Sequence, residues 1–135
     1  LYGNFGQTNY GAAKLAQVGF MNSLKIEGAK NNIHTNTIAP IAATRMTESL
    51  IPEAVHSKLA PESVTPAALF LVSEEAPNGV IMQAEGGRFS VASIVENTGA
   101  QLGVDATPED IASNYDMISD LEGAKPKGMM QINLP

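Results

Sequence analysis

Two helix-then-strand units follow one another in the first half of the chain, and this order constrains the fold more than any other feature. Apolar residues recur at intervals of three and four over residues 9–29, which predicts a helix. Residues 33–39 carry β-branched side chains at alternate positions and end at Pro40, which predicts a short strand. A helix over residues 67–72 and a strand over 79–84 repeat the order. Such alternation favours an α/β fold with a parallel sheet.

The segment between the two units is less regular. We expect short helical turns at residues 44–50 and 52–59, within a flexible flap that spans residues 41–61. Thr65 is predicted to be the N-cap of the second helix, with Pro66 at the first helical position, where its missing N–H costs nothing. Because the run that follows is strongly apolar, this helix is predicted to be well buried.

The pattern changes after the second strand. Gly86 and Gly87 predict a turn that ends the strand, and residues 88–95 are predicted to form a further strand or an extended arm. We therefore assign residues 1–93 to one α/β domain with a parallel sheet.

Residues 94–135 are predicted to form a short helical C-terminal extension. Thr107 is a good N-cap, and the helix after it is expected to run to Met117 or Leu121. Residues 125–135 contain proline and glycine and are interpreted as a tail or linker.

Charge and composition exclude several classes of protein. The net charge is -6 with only 8 Lys and Arg, which argues against a nucleic-acid partner and against a polybasic membrane surface. There is no cysteine, and His34 and His56 lack neighbouring ligands, so no metal site is expected. No apolar run approaches the length of a membrane span. The chain starts without Met or a signal peptide and carries no peroxisomal tripeptide at its end, so we expect a piece of a longer protein that is cytoplasmic or peroxisomal.

Tyr10 and Lys14 are the strongest candidates for chemistry. Residues four apart lie on the same face of a helix, so the two side chains are expected to be neighbours. A nearby ammonium favours the phenolate form, which lets a tyrosine act as a general acid or base near neutral pH. The alternative is a solvated face on which the lysine stem lies along the ring. The helix also carries a surface with little bulk, which suits either a flat ligand or close helix packing and consists of Ala12, Ala13, Ala16 and Gly19.

Three stretches carry a resemblance to a known family. They are GNFGQTNYGAAKLAQVGFMNSLKIEG, NNIHTNTIAPIAATRMT and NGVIMQAEGG. In this order and spacing they resemble the second half of a short-chain dehydrogenase/reductase. The resemblance implies that residues 1–93 are the C-terminal half of a doubly wound, Rossmann-type parallel sheet. Within that family the likeness is to the (3R)-hydroxyacyl-CoA dehydrogenase part of multifunctional β-oxidation enzymes. The stretch DATPEDIASNYDMISDLEGAKP resembles the additional C-terminal helix of that subgroup.

The resemblance implies a role for five residues. Tyr10 matches the catalytic tyrosine, and Lys14 matches the lysine that activates it and binds the nicotinamide ribose. Pro40 and Ile41 stand where the family has Pro-Gly beside the nicotinamide, and Thr44 matches a hydroxyl residue that contacts the cofactor. The implied cofactor is NAD or NADP, with NAD favoured. The implied reaction is hydride transfer with a secondary alcohol or ketone, and the implied substrate is a (3R)-hydroxyacyl-CoA. The implied partner is therefore a small-molecule acyl-CoA thioester.

Two departures from the family pattern limit what this chain does alone. Ile41 replaces glycine, which puts the backbone contact there in doubt. The catalytic serine and the glycine-rich pyrophosphate turn are not among the 135 residues, and Ser23 comes after Tyr10. We therefore expect the chain alone to be inactive. The alternative function is a catalytically incompetent module with a structural or assembly role.

The resemblance also implies a substrate loop and an oligomer, and three further residues have been considered for a functional role. Residues 45–60 match the family's mobile substrate loop, and the helix that holds Tyr10 implies a homo-oligomer. Arg45 and Arg88 are interpreted either as contacts to a CoA phosphate or as solvated surface groups. His34 is expected to be structural.

Overall fold

The computed structural model describes residues 1–45, 47 and 52–127. Contacts divide the chain into two compact units, Leu1–Ala92 and Ser93–Pro135. Within the described ranges no helix is both long enough and apolar enough to cross a membrane.

The first unit combines a long helix with a small sheet. Its elements are α1 (Thr8–Ala29), β1 (Thr37–Ile41), 3-10 helices at Glu53–Leu59 and Pro61–Val64, α2 (Thr65–Leu71), β2 (Ile81–Glu85) and β3 (Arg88–Ala92). The helix predicted over residues 9–29 is confirmed and begins one residue earlier. The helical turn predicted at 52–59 is also confirmed. Much of the turn predicted at 44–50 lies outside the described residues.

The sheet has the order β1-β2-β3. β1 and β2 are parallel, with Thr37 opposite Ile81, whereas β2 and β3 form an antiparallel hairpin. Gly86 and Gly87 both have positive φ, 51° and 84°, as a tight two-residue hairpin turn requires. The α/β class with a parallel pair is therefore confirmed, and the third strand runs the other way. The strand predicted at 88–95 ends at Ala92.

The strand predicted at residues 33–39 is wrong at its start, because β1 begins four residues later. The Asn36 side chain takes part in the pairing just before Thr37: Asn36 Nδ2 donates to Pro77 O at 2.6 Å, and Val80 N donates to Asn36 Oδ1 at 3.0 Å. Pro40 lies inside β1 although it has no N–H. Within the described residues β1 is an edge strand, where proline is tolerated.

The core of this unit lies where α1 crosses the sheet. Val18 and Met21 are each 2% exposed and pack with Ile81, against which Ala39 and Ala92 also lie. Burial of aliphatic side chains is the main favourable term that holds a helix to a sheet.

The prediction of a well-buried second helix is wrong. In α2 only Ala67 is buried, whereas Leu69 is 63% exposed and Val72, which follows the helix, is 81% exposed. Thr65 is also not the N-cap. It already has helical angles, φ -52° and ψ -45°, because the chain enters α2 directly from the 3-10 helix before it.

The second unit contains a two-stranded sheet and two short helices. They are β4 (Val95–Glu96), α3 (Pro108–Ser113), α4 (Tyr115–Ser119) and β5 (Lys125–Pro126), and β4 pairs antiparallel with β5. Thr107 caps α3 as predicted, but the single helix predicted to Met117 or Leu121 breaks at Asn114, where φ is -110° and ψ is 11°. The predicted tail begins with β5, and residues 128–135 lie outside the described residues.

Candidate active site

Tyr10 and Lys14 lie one turn apart near the start of α1. The turn before the helix is closed by Gln7 N, which donates to Asn4 O at 3.1 Å, and Gly6 adopts a φ of 75° there. The Lys14 ammonium lies 5.5 Å from the centroid of the Tyr10 ring, within the range of a cation–π contact. Tyr10 is 54% exposed, so its hydroxyl is open to a ligand.

A cleft of about 580 Å³ lies beside this pair. Four parts of the first unit form its walls: Leu1 and Tyr2 at the start of the chain, the N-terminal half of α1, the whole of β1, and the hairpin of β2 and β3. In open α/β sheets ligands bind outside the carboxyl ends of the parallel strands. Ile41 and Glu85, which end β1 and β2, both line this cleft.

The structure brings four of the five predicted site residues together. Tyr10, Lys14, Pro40 and Ile41 all line the cleft. Thr44 does not line it, and its backbone N–H donates instead to Thr47 Oγ1 at 2.8 Å.

The loop predicted over residues 45–60 is described only in part, since Met46 and residues 48–51 lie outside the described residues. Where it is described, Ala43 N donates to Leu59 O at 2.7 Å, which ties the end of the loop back to its start.

The cleft offers two kinds of group to a ligand. Lys14 and Tyr10 supply hydrogen-bonding groups suited to sugar hydroxyls, and Pro40 and Ile41 supply an apolar edge suited to a flat ring. Ile41 is 49% exposed, so part of its side chain is accessible to a ligand. The described residues contain no cluster of His, Asp or Glu that could hold a metal ion.

Three polar residues of the cleft wall, Tyr2, Gln83 and Ser90, were not predicted from the sequence. Gln83 Nε2 donates to Tyr2 Oη at 3.0 Å, and Ser90 Oγ donates to Gln83 Oε1 at 3.0 Å. Gln83 and Ser90 are directly opposite one another in the hairpin. The available signal was a polar glutamine inside an apolar strand just before a Gly-Gly turn.

Arg88 and Glu85 close the hairpin and also line the cleft. The sequence left two interpretations of Arg88, a contact to a CoA phosphate or a surface group. Its position at the cleft is compatible with the phosphate contact. Arg45 does not line the cleft. His34 bonds through Nδ1 to the backbone of Ala76 at 2.9 Å, in line with a structural role.

The chain has close relatives among dehydrogenases, although no family model matches it. It is 48% identical over 129 residues to a short-chain type dehydrogenase/reductase of Mycobacterium tuberculosis, a match that covers 95% of this chain and 45% of the relative. It is 42% identical to peroxisomal multifunctional enzyme type 2 of Mus musculus, covering 97% of this chain and 18% of that protein. The chain thus spans about half the length of the first relative and much less of the second.

Solved structures agree with these relatives. The full-length peroxisomal multifunctional enzyme type 2 of Drosophila melanogaster superposes with a TM-score of 0.81 at 33% identity, over 95% of this chain and 24% of that one. A short-chain dehydrogenase of Mycobacterium avium gives a TM-score of 0.67 at 32% identity, over 93% of this chain and 43% of that one.

Proposed function

This chain is a homologue of the short-chain dehydrogenase/reductases, and from that homology we propose that it carries the proton-transfer residues of an NAD(P)-dependent oxidoreductase. The reaction would interconvert a secondary alcohol and a ketone. The observation that carries the proposal is the placement of Tyr10 and Lys14 side by side on the wall of the cleft.

The two side chains would divide the work. In the reducing direction the Tyr10 hydroxyl donates its proton to the carbonyl oxygen, and in the oxidising direction it accepts the proton of the alcohol. The Lys14 ammonium stabilises the phenolate that remains after donation. A nicotinamide cofactor would supply or take the hydride. Lys14 would hold its ribose, and Pro40 and Ile41 would pack against its ring.

We further propose a 3-hydroxyacyl-CoA thioester of (3R) configuration as the substrate. Related proteins are named peroxisomal hydratase-dehydrogenase-epimerase, in Neurospora crassa, and acetoacetyl-CoA reductase, in an Acinetobacter strain. The apolar part of the cleft, which includes Leu1 and Ile38, suits the acyl chain of such a thioester. The names of the relatives leave the choice of nicotinamide cofactor open, and we propose NAD.

The substrate assignment is tested by stereochemistry. The protein encoded by the complete reading frame is offered (3R)- and (3S)-3-hydroxybutyryl-CoA, each with NAD and with NADP, and the reduced cofactor is followed by its absorbance. We expect turnover of the (3R) thioester with NAD. Turnover of the (3S) thioester, or of neither thioester with either cofactor, contradicts the proposal.

A second candidate is a module that has a structural or assembly role and no catalysis. It would apply to these 135 residues acting alone, because in such folds a glycine-rich strand–turn–helix holds the pyrophosphate of the cofactor. Calorimetric titration of the 135-residue polypeptide with NAD tests this role. We expect no NAD binding by the polypeptide alone. Micromolar affinity for NAD would contradict the proposal of a module without catalysis.

We also propose a soluble homo-oligomer in the cytoplasm or the peroxisome. The peroxisomal relatives support the second location. On α1, Leu15 is 47% and Phe20 is 68% exposed, which leaves apolar area for a second copy. Met21, the next residue after Phe20, belongs instead to the core.

A further inference from the structure

A chain of hydrogen bonds runs across one wall of the cleft. It starts at Ser90 on β3, passes through the Gln83 amide on β2 and ends at the hydroxyl of Tyr2. Both donor–acceptor distances are 3.0 Å, the usual length of a good hydrogen bond. All three residues line the same cleft as Tyr10 and Lys14.

The direction of these bonds fixes what Tyr2 can offer. With the Gln83 amide oriented as the structure has it, Ser90 Oγ donates to Gln83 Oε1 and Gln83 Nε2 donates to Tyr2 Oη. Tyr2 Oη is therefore an acceptor in this bond, and its own O–H remains to be donated elsewhere. Within the part of the chain that the structure describes, Tyr2 has no other hydrogen-bond partner. Tyr2 is 82% exposed, so this O–H is accessible to a ligand.

We propose that the Tyr2 hydroxyl is a second hydrogen-bond donor of the cleft, oriented by Gln83 and Ser90, which recognises the thioester carbonyl of a 3-oxoacyl substrate. This inference rests on the function proposed above. A 3-oxoacyl thioester carries two carbonyl oxygens, and Tyr10 donates its proton to the oxygen of the carbonyl that is reduced. A second donor on the same cleft distinguishes such a thioester from a ligand that lacks the acyl group. Tyr2 is a specificity residue in this account, whereas Gln83 and Ser90 are positioning residues.

Two substitutions test the proposal through binding. Tyr2→Phe removes the donor and keeps the ring. Gln83→Glu keeps the shape but presents a carboxylate, which only accepts, so the Tyr2 O–H turns to residue 83 and is lost to the ligand. Tyr115→Phe is the matched control, since Tyr115 is 60% exposed and lies in the second unit. Calorimetry on the complete protein measures the affinity for acetoacetyl-CoA and for CoA without its acyl group, with no reduced cofactor present.

We expect both cleft variants to bind acetoacetyl-CoA about tenfold more weakly, the usual weight of one hydrogen bond, and to bind CoA as the unaltered protein does. Tyr115→Phe should bind both ligands normally. Unchanged affinity of Tyr2→Phe for acetoacetyl-CoA overturns the inference, and so does an equal loss for both ligands or no binding by the unaltered protein.

A parallel turnover assay separates this inference from the proposed function. If Tyr10→Phe abolishes reduction of acetoacetyl-CoA while Tyr2→Phe binds it normally, the proposed function stands and the inference fails. If Tyr2→Phe weakens acetoacetyl-CoA binding selectively while the unaltered protein reduces nothing, the inference stands and the proposed function fails.

Discussion

Gly79 connects the turn after α2 to β2 with a backbone conformation that side chains rarely adopt. Its φ is 85°, and a Cβ at this position would lie 2.3 Å from Lys25 Cδ. The lysine stem can move aside, but the left-handed backbone cannot be relieved locally. Its N–H also donates to Thr35 O at 2.9 Å, which fixes the start of the parallel strand pair.

Gly79→Ala should therefore lower the free energy of unfolding by about 1–2 kcal/mol, the cost of a left-handed backbone for an alanine. Urea unfolding of the complete protein measures the change. Gly19→Ala is the matched control, because Gly19 lies inside α1 with open space around its missing Cβ. There the same substitution should stabilise the protein by about 0.5–1 kcal/mol. An equal effect at both positions would show that the backbone angle is not the cause.

Residues differ in how far sequence alone predicts their neighbours. Tyr10 and Lys14 are four apart on one helix, so their contact follows from helical geometry. Tyr2 and Gln83 are 81 positions apart, and their bond depends on how the segment before α1 packs on the sheet. No local pattern encodes such a contact.

The boundaries of helices and strands are likewise predictable only where the sequence pattern is local. The 22-residue α1 was predicted to within one residue because its periodic pattern is long. β1 was placed too early, since nothing in residues 33–36 shows that Asn36 will bond to Pro77 and Val80. The antiparallel direction of β3 follows from Gly86 and Gly87, whose positive φ values close the hairpin.

The start of α3 is a capping box with a measurable pH signature. Thr107 N donates to Asp110 Oδ2 at 2.9 Å, and Thr107 Oγ1 donates to the same oxygen at 2.8 Å. These bonds, the backbone bond first, hold the pKa of Asp110 below its ordinary value of 3.8. Because the folded pKa is the lower one, the box contributes stability that is fully present above pH 3.8 and is lost as pH falls through the folded pKa.

Thr107→Val removes the side-chain bond and keeps the backbone bond, so the pKa of Asp110 should rise part of the way towards 3.8. An NMR titration of the Asp110 carboxyl carbon measures the shift. Thr98→Val, an exposed change in the loop before α3, should leave the titration unchanged. A pKa of Asp110 that is the same in Thr107→Val and the unaltered protein would contradict the assigned cause.

At the scale of the molecule, the exposed side of α1 is predicted to face a second copy. Phe20→Asp should shift the protein from oligomer to monomer, because it places a charge on an apolar contact. Sedimentation velocity over a range of concentrations measures the change. Val104→Asp is the control, since Val104 is 98% exposed but lies in the second unit. An unaltered protein that sediments as a monomer at high concentration would contradict the proposed homo-oligomer.

The architecture of the whole chain was predicted as far as its α/β class and its parallel strand pair, because helix and strand alternate in the sequence. What sequence left open is the cleft itself. Its walls come from Leu1 and Tyr2, α1, β1 and the hairpin, and residues 42–80 separate β1 from the hairpin along the chain. The folded structure shows that Pro40 and Ile41 line the same cleft as Tyr10, whereas Thr44 does not.

The central claim is that the Tyr10 hydroxyl transfers a proton, and Tyr10→Phe tests it most directly. The substitution removes one oxygen and keeps the ring against which Lys14 lies. In the complete protein, turnover of (3R)-3-hydroxybutyryl-CoA and calorimetric affinity for NAD are measured side by side. We predict that turnover falls by about 10²–10⁴, the usual contribution of a general acid or base, while NAD affinity changes far less. Near-normal turnover in Tyr10→Phe would contradict the account.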